Sequence, residues 1–459
     1  MTTRVERDSM GEVEVSEEVL WGAQTQRAVD NFAISGSPMP RRFVVALLLT
    51  KACAAQANRA LGRLPENVAN AIMISAEQLL EDPAVMRHFP VDVFQTGSGT
   101  STNMNANEVL AYLASQKLGK RVSANDQVNM GQSSNDVIPS CIHISAAMAL
   151  ADDLIPALEH LSEQIGLRSK ECATVVKTGR THLMDAVPVT LGQSLGAWAT
   201  QIDQVIRNLN TCRPMLQSLA QGGTAVGTGL NSHPEFSVTF CDKLSDRTGL
   251  TFTPAENFMA HIATQDVVVS LSGQLKTLAV ALIKISNDLR WMNAGPMTGF
   301  GEIELAPLQP GSSIMPGKVN PVIPEAVLQA ATQVIGNDAA ITAAAASGNF
   351  ELNVMLPLIA RNLLENIKLL SNSSRALADK AIATFRVNHD RINDTLSRNP
   401  ILATALNPVI GYMEASEIAR IAYVQKRSII DVAEENTSLS REELEILLDP
   451  TRLTRAHRD

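Results

Sequence analysis

Residues 268–292 read VVSLSGQLKTLAVALIKISNDLRWM. Apolar side chains fall at Val268, Leu271, Leu275, Leu278, Leu282, Ile285, Leu289 and Met292, a strict alternation of three and four that keeps them on one stripe of a helix. Such a helix is about 37 Å long, at ~1.5 Å per residue, and its stripe is the seam of a bundle. The same step recurs at Leu191, Leu195, Trp198, Ile202, Val205, Leu209 and Cys212, and more loosely at Ile144, Met148, Ala151, Ile155 and Leu158. With an alanine-rich stretch over 322–346 and another candidate over 355–386, the centre reads as about five long helices. The chain is therefore predicted to be mainly α, with a central long-helix bundle. Small residues at Ala339, Ala340 and Ala343 to Ala346 permit close approach, so these helices are expected to pack against other copies of the chain as well as each other.

Outward from this centre the pattern changes. Residues 1–132 read as short helical stretches mixed with Gly-, Asn- and Thr-rich loops, ending in a loop-like segment around Asn125 to Asn135. Beyond about residue 388 the pattern breaks at Asn399-Pro400 and Asn407-Pro408, and short helices follow, one opening at a capping box from Ser440 to Glu443. The expected domains are 1–132, 133–388 and 389–459, in line with the prior of about three for this length. The sequence contains no repeat, GxGxxG fingerprint or P-loop.

Of the 459 residues, 45% are hydrophobic and only 4% aromatic, so the interior must be built from Ala, Leu, Ile and Val. The net charge of -9 argues against nucleic acid or an acidic membrane as partner, since either needs a basic face. It also means that an anionic substrate must be held by local donors. Five cysteines, Cys53, Cys141, Cys172, Cys212 and Cys241, form no CxxC pair and imply no disulfide framework. Their expected role is that of small buried hydrophobes in a reducing compartment. Charges near the N-terminus stand where a signal peptide would be apolar, and no uncharged apolar run reaches membrane-spanning length. A soluble, cytoplasmic protein is expected.

Four polar segments adjoin the predicted long helices. Residues 311–321, GSSIMPGKVNP, combine two glycines and two prolines with Ser312, Ser313, Lys318 and Asn320 around Ile314 and Met315. A plain connector needs the glycines and prolines but not the hydroxyls, cation and amide, and the set suits a mobile anion-holding loop. Thr96 to Asn103 offers hydroxyls and glycine amides, which serve either a carboxylate or the cap of a helix starting near Asn105. Gly131 to Asp136 carries Ser133, Ser134 and Asn135, again a helix cap or a binding segment. Thr178 to Asp185 is read as a loop holding Thr181 and His182, a general acid or base or a structural histidine. Glu325, just beyond the 311–321 loop, stands in a first helical turn, where an acidic residue also suits the helix dipole.

Taken together, TGSGTSTNMN (96–105), GQSSND (131–136), GRTHLMDAVP (179–188), GGTAVGTGLN (222–231) and GSSIMPGKVNP resemble the class II fumarases of the fumarase/aspartase superfamily, in order and at compatible spacing. WGAQTQRAVDNF (21–32) and NPVIGY (407–412) extend the resemblance over nearly the whole chain, and Gly317 stands where aspartases usually carry Ala. The resemblance implies a three-domain fold, a homotetramer with a helical core, and active sites shared between subunits. It implies Ser312 as the base that removes the C3 proton of malate, and Thr181 and His182 as ligands of substrate and water, with Glu325 orienting His182. It implies Ser98, Thr100, Ser133, Ser134, Asn135, Lys318 and Asn320 as carboxylate-binding groups.

That inventory suits the implied chemistry, fumarate hydration without metal or organic cofactor. Removing a proton beside a carboxylate concentrates negative charge on an aci-carboxylate, which needs many donors. A serine base needs an electropositive setting, which Lys318 and helix N-termini supply. Scattered cysteines do not match the clustered thiolates of iron–sulfur fumarases. Family members often carry His-Pro-Asn-Asp where this chain has Ser123, Ala124, Asn125 and Asp126, so a second dicarboxylate site is expected to be weak or absent. The rivals are an aspartate ammonia-lyase on the same scaffold and a non-catalytic structural protein recruited from it.

Overall fold

The computed structural model describes residues 2–455. The chain opens with an antiparallel hairpin of β1 (Thr3–Asp8) and β2 (Gly11–Ser16). Helices α1 (Ala23–Asn31), α2 (Arg41–Ala60), α3 (Glu66–Glu81) and α4 (Thr100–Leu118) follow. The expectation of short helical stretches over 1–132 is corrected. The central helices α2 and α4 are long but buried on most of their circumference, so their Ala-rich sequences lack the one-sided stripe that marks a surface helix.

The five long helices are present. The first is α5 (Ser134–Ala149), which passes through a π segment at Leu150–Leu154 into α6 (Ile155–Glu171). The π register sits just ahead of Pro156, whose ring nitrogen has no proton to give the preceding turn. After a hairpin of β3 (Val176–Thr181) and β4 (Met184–Thr190) come α7 (Leu191–Leu216), α8 (Phe236–Thr248), α9 (Phe258–Ala263) and α10 (Asp266–Met292). The set is completed by α11 (Val322–Ala345) and α12 (Leu356–Leu377), and the latter ends in a π turn at Ala378–Ile382. The seam residues Leu271, Leu275, Leu278, Leu282, Ile285 and Leu289 are each 0% exposed.

By contact the chain divides into two compact units, and every boundary falls inside a long helix. The first unit comprises Met1–Pro156, Arg207–Ala279 and Ala331–Ser371. In it α2 is covered by α3, α5 and α8. Polar ties between its helices run from Asn208 to Gln274 (3.1 Å), Ser272 to Asp338 (2.6 Å) and Asn337 to Asn366 (2.9 Å). The second unit comprises Ala157–Ile206, Val280–Ala330 and Asn372–Asp459. Its terminal part holds α13 (His389–Ser397), α14 (Asn407–Ile410), α15 (Tyr412–Gln425), α16 (Ile429–Asn436) and α17 (Arg441–Leu447). These pack through Leu402, Leu406, Ile418, Ala422, Val432 and Leu444, and α17 opens with the expected Ser440–Glu443 capping box.

Among the described residues, two stretches, Ser134–Glu171 and Asp266–Met292, are long and apolar enough to cross a membrane by length and composition. The most apolar window of the first is 72% buried within the chain, as befits a core helix, whereas that of the second is only 44% buried.

Candidate functional site

The first unit holds the hydroxyl-rich segments. Helix α4 begins at Thr100, earlier than the start expected near Asn105, and its N-cap is Gly99 at φ +72°, with no side-chain cap. The capping alternative for this segment is thereby replaced. The hydroxyls instead form a chain, with Ser98 Oγ 2.7 Å from Thr100 Oγ1 and Thr100 Oγ1 2.6 Å from Ser134 Oγ. Thr100 and Ser134 are the first residues of α4 and α5, so the chain joins two helix N-termini whose first amides lack partners within their helices. Gly97 lets this segment run against the Val354 backbone, since a Cβ there would sit 1.7 Å from the Val354 carbonyl oxygen.

Ser133 is different, because its cap role holds. Its hydroxyl accepts from Asn135 N at 3.2 Å, and the Asp136 carboxylate accepts from Ser133 N at 2.9 Å. Asn135 donates its side-chain amide to the Ala225 carbonyl at 2.8 Å. The other Asp136 oxygen accepts from Gly222 N and Thr224 N, both at 2.9 Å, and from Gln221 Nε2 at 3.3 Å. Asp136 thus ties GQSSND to the GGTAVGTGLN stretch. Burial pushes its carboxyl up to about 6, against backbone hydrogen bonds that favour the ionised form.

The second unit holds the groups expected to do proton transfer. Thr178 to Asp185, read from sequence as a loop, is instead the tip and flanks of the β3–β4 hairpin. Its two-residue turn is His182 (φ +55°) and Leu183 (φ +60°). Paired positive φ is the turn that Asn-Gly makes with least strain, so His and Leu there are held at a cost. The hairpin base is anchored by Glu302, 1% exposed, which pairs with Lys177 at 3.1 Å and Arg180 at 2.7 Å. Arg180 also stacks on Phe300 at 4.4 Å, and Asn399 donates to the Ala186 carbonyl at 2.9 Å. The result is an exposed His182 on a tightly held stem.

Residues 311–321 form a loop without helix or strand, as expected. Ser312 Oγ accepts from the backbone amides of Ile314 (3.2 Å) and Met315 (3.0 Å), two donors that stabilise negative charge on that oxygen. The loop closes through Gly311 N to the Lys318 carbonyl (2.9 Å) and Asn320 Nδ2 to the Gly311 carbonyl (2.6 Å). Asn320 therefore braces the loop with one of its N–H groups. Lys318 is exposed, Gly317 lies at φ +79°, and Glu325 is half-buried in the first turn of α11. Among the described residues, no hydrogen bond within the chain joins Thr181 or His182 to Ser312, Lys318, Asn320 or Glu325.

At the expected second site, Ser123 donates to Asp126 Oδ2 (2.7 Å) and accepts from Asp126 N (3.1 Å), capping a π turn at Ala124–Val128. Ser123 and Asn125 line a cavity of about 350 Å³ together with Arg7, Glu108 and Arg121. Sequence reasoning missed Glu302, which nothing local distinguishes from an ordinary acidic residue, and named Asp136 only as the end of a cap segment, not as the buried tie to Gly222 and Thr224. It also missed Lys51 of α2, which is 0% exposed and whose Nζ donates to Asn129 Oδ1 (2.9 Å) and Gln132 Oε1 (3.0 Å).

The chain matches the Lyase family over residues 11–336 and the fumarase C C-terminus family over residues 402–455. It is 62% identical over 452 residues to a class II fumarate hydratase of Pseudomonas aeruginosa, covering 98% of each chain. It is 54% identical to a class II fumarate hydratase of Xylella fastidiosa, covering 98% of this chain and 95% of that one. Among solved structures it resembles the class II fumarase of Schistosoma mansoni with a TM-score of 0.97 at 37% identity, covering 100% of both chains.

Proposed function

The chain belongs to the class II fumarate hydratase family, and from that premise we propose how its own residues hydrate fumarate to L-malate and reverse the reaction. The observation that carries the reading is the hydroxyl chain Ser98–Thr100–Ser134 across the N-termini of α4 and α5. Two helix ends and three hydroxyls supply neutral, fixed donors to a carboxylate, as a chain of net charge -9 requires. Asn135, Lys318 and Asn320 add to this donor set, and Ser133 contributes by fixing the start of α5.

In the malate-to-fumarate direction Ser312 takes the C3 proton. The amides of Ile314 and Met315 steady the oxygen that does so. The electron pair moves into the adjacent carboxylate, and the aci-carboxylate is held by the donor set. The electron pair then returns to form the C2–C3 double bond as the C2–O bond breaks, and the leaving hydroxyl takes a proton from His182 and departs as water, with Thr181 holding it and Glu325 orienting the imidazole. No step calls for a metal or cofactor.

The chain works as a homotetramer in the cytoplasm, its four polar segments contributing to sites shared between subunits. The half-covered α10 supports assembly, because an apolar stretch 44% buried within its own chain needs further cover. The test is to supply purified protein with fumarate, with and without ammonium, and identify the product. Malate in both cases is expected. Aspartate as the main product would make the chain an ammonia-lyase.

A further inference from the structure

We propose that Lys51 is a positioning residue for the carboxylate-binding half of the site, its buried ammonium joining the 98–103 and 133–135 segments and supplying positive charge that a bound dianion compensates. The inference rests on the dicarboxylate reading above and adds to it a residue outside every motif.

Lys51 is among the largest fully buried side chains, and both groups that accept its protons are neutral amide oxygens, on Asn129 and Gln132. Burying an ammonium without a counter-ion is costly, and a methionine would fill the same space more favourably. The nearest compensation within the chain is indirect. Asp136 acts on Lys51 through space, but its oxygens accept from Ser133, Gln221, Gly222 and Thr224. Cys141, also on α5, is the other ionisable group acting on Lys51, and α3, α4, α8 and the π turn contribute none among the described residues.

Asn129 is the node of the arrangement. Its Oδ1 accepts from Lys51, from Asn103 at 3.3 Å and from Asn107 at 3.2 Å, while its Nδ2 donates to the Gln132 carbonyl at 3.1 Å. Asn103 lies one turn beyond Thr100 on α4, and Gln132 immediately precedes Ser133. The ammonium therefore orients the two amides that set α4 against the start of α5, the junction where Thr100 meets Ser134. Burial also brings the ammonium down to about 7, so a nearby anion strengthens a charge held only narrowly at neutral pH.

Two variants separate charge from scaffold. Lys51→Met removes the charge and keeps the stem, whereas Asn129→Asp keeps Lys51 and gives it a carboxylate partner. Binding of succinate and of its half-amide succinamate is measured by calorimetry for wild type and both variants, with folding checked by circular dichroism. Both variants should weaken succinate about tenfold and succinamate clearly less, because one negative charge has been removed from the ligand. Asn129→Asp, which strengthens the Lys51 pair but gives up the Nδ2 donation to the Gln132 carbonyl, provides the test even where Lys51→Met fails to fold, because the lost charge is read in the difference between the two ligands and the scaffold change falls on both alike. Succinate binding by folded Asn129→Asp equal to wild type, or equal loss for both ligands, would overturn the role of Lys51. A wild type that neither hydrates fumarate nor binds succinate would instead overturn the reading beneath it.

Discussion

Ser312 and Ser313 are neighbours with the same hydroxyl, yet the Ser312 oxygen receives two backbone amides from Ile314 and Met315. Donation of that kind favours the charged oxygen, which is the condition for a serine to act as a base. Ser312→Ala should lower kcat by ~10³ or more with little change in KM, because the lost interaction belongs to the transition state. Ser313→Ala should cost less than about tenfold. Comparable kcat for wild type and Ser312→Ala would remove Ser312 from the mechanism and leave His182 as the leading base. Lys51 carries a second expectation at this scale. Burial lowers its ammonium to about 7, with Asp136 and Cys141 the groups acting on it. An unfolded lysine titrates near ~10.4, so between those values the unfolded state binds the extra proton and stability from this site rises with pH. Below pH 7 the charge must be carried in the core and that gain is absent. Urea unfolding at pH 7 and pH 9 should show wild type gaining about 2 kcal/mol on Lys51→Met. Parallel pH dependence in the two proteins would contradict it.

Among the elements, the β3–β4 hairpin joins local strain to function most directly. His182 and Leu183 hold positive φ that glycine would adopt freely. Leu183→Gly should raise stability by about 1 kcal/mol while lowering kcat, since a relaxed turn holds His182 less firmly. Thermal unfolding and steady-state rates check this, and a lower Tm would mean that the turn is unstrained. The hairpin was not legible as strand because Gly179 and Pro188 interrupt its alternation and its tip carries His-Leu rather than Asn-Gly. The N-terminal hairpin did leave a trace in the alternating GEVEVS of β2. Long helices such as α10 were legible because one-sided burial imposes the three-four step. By contrast, α2 and α4 are buried on most sides, which erases that step. The candidate site was legible where loops need unusual residues, as in 311–321. It was hidden where ordinary residues acquire a role by burial, as with Lys51, Asp136 and Glu302, because burial depends on elements distant in the chain.

For the whole molecule, the single chain leaves work undone at two places. The most apolar window of α10 is less than half buried, and no hydrogen bond among the described residues joins the His182 hairpin to the Ser312 loop. Association into the tetramer proposed above would answer both, covering α10 and bringing segments of different chains into one site. Sedimentation of the purified protein should therefore give a tetramer, and a stable monomer with full activity would contradict that. If His182 and Ser312 serve one site from separate chains, their defects must complement. The decisive measurement is to unfold and refold His182→Ala and Ser312→Ala proteins together and assay fumarate hydration. Each variant alone should be inactive and the mixture partly active, since some sites draw both intact segments from different subunits. No recovery, with mixed tetramers proven by native mass spectrometry, would contradict a shared site.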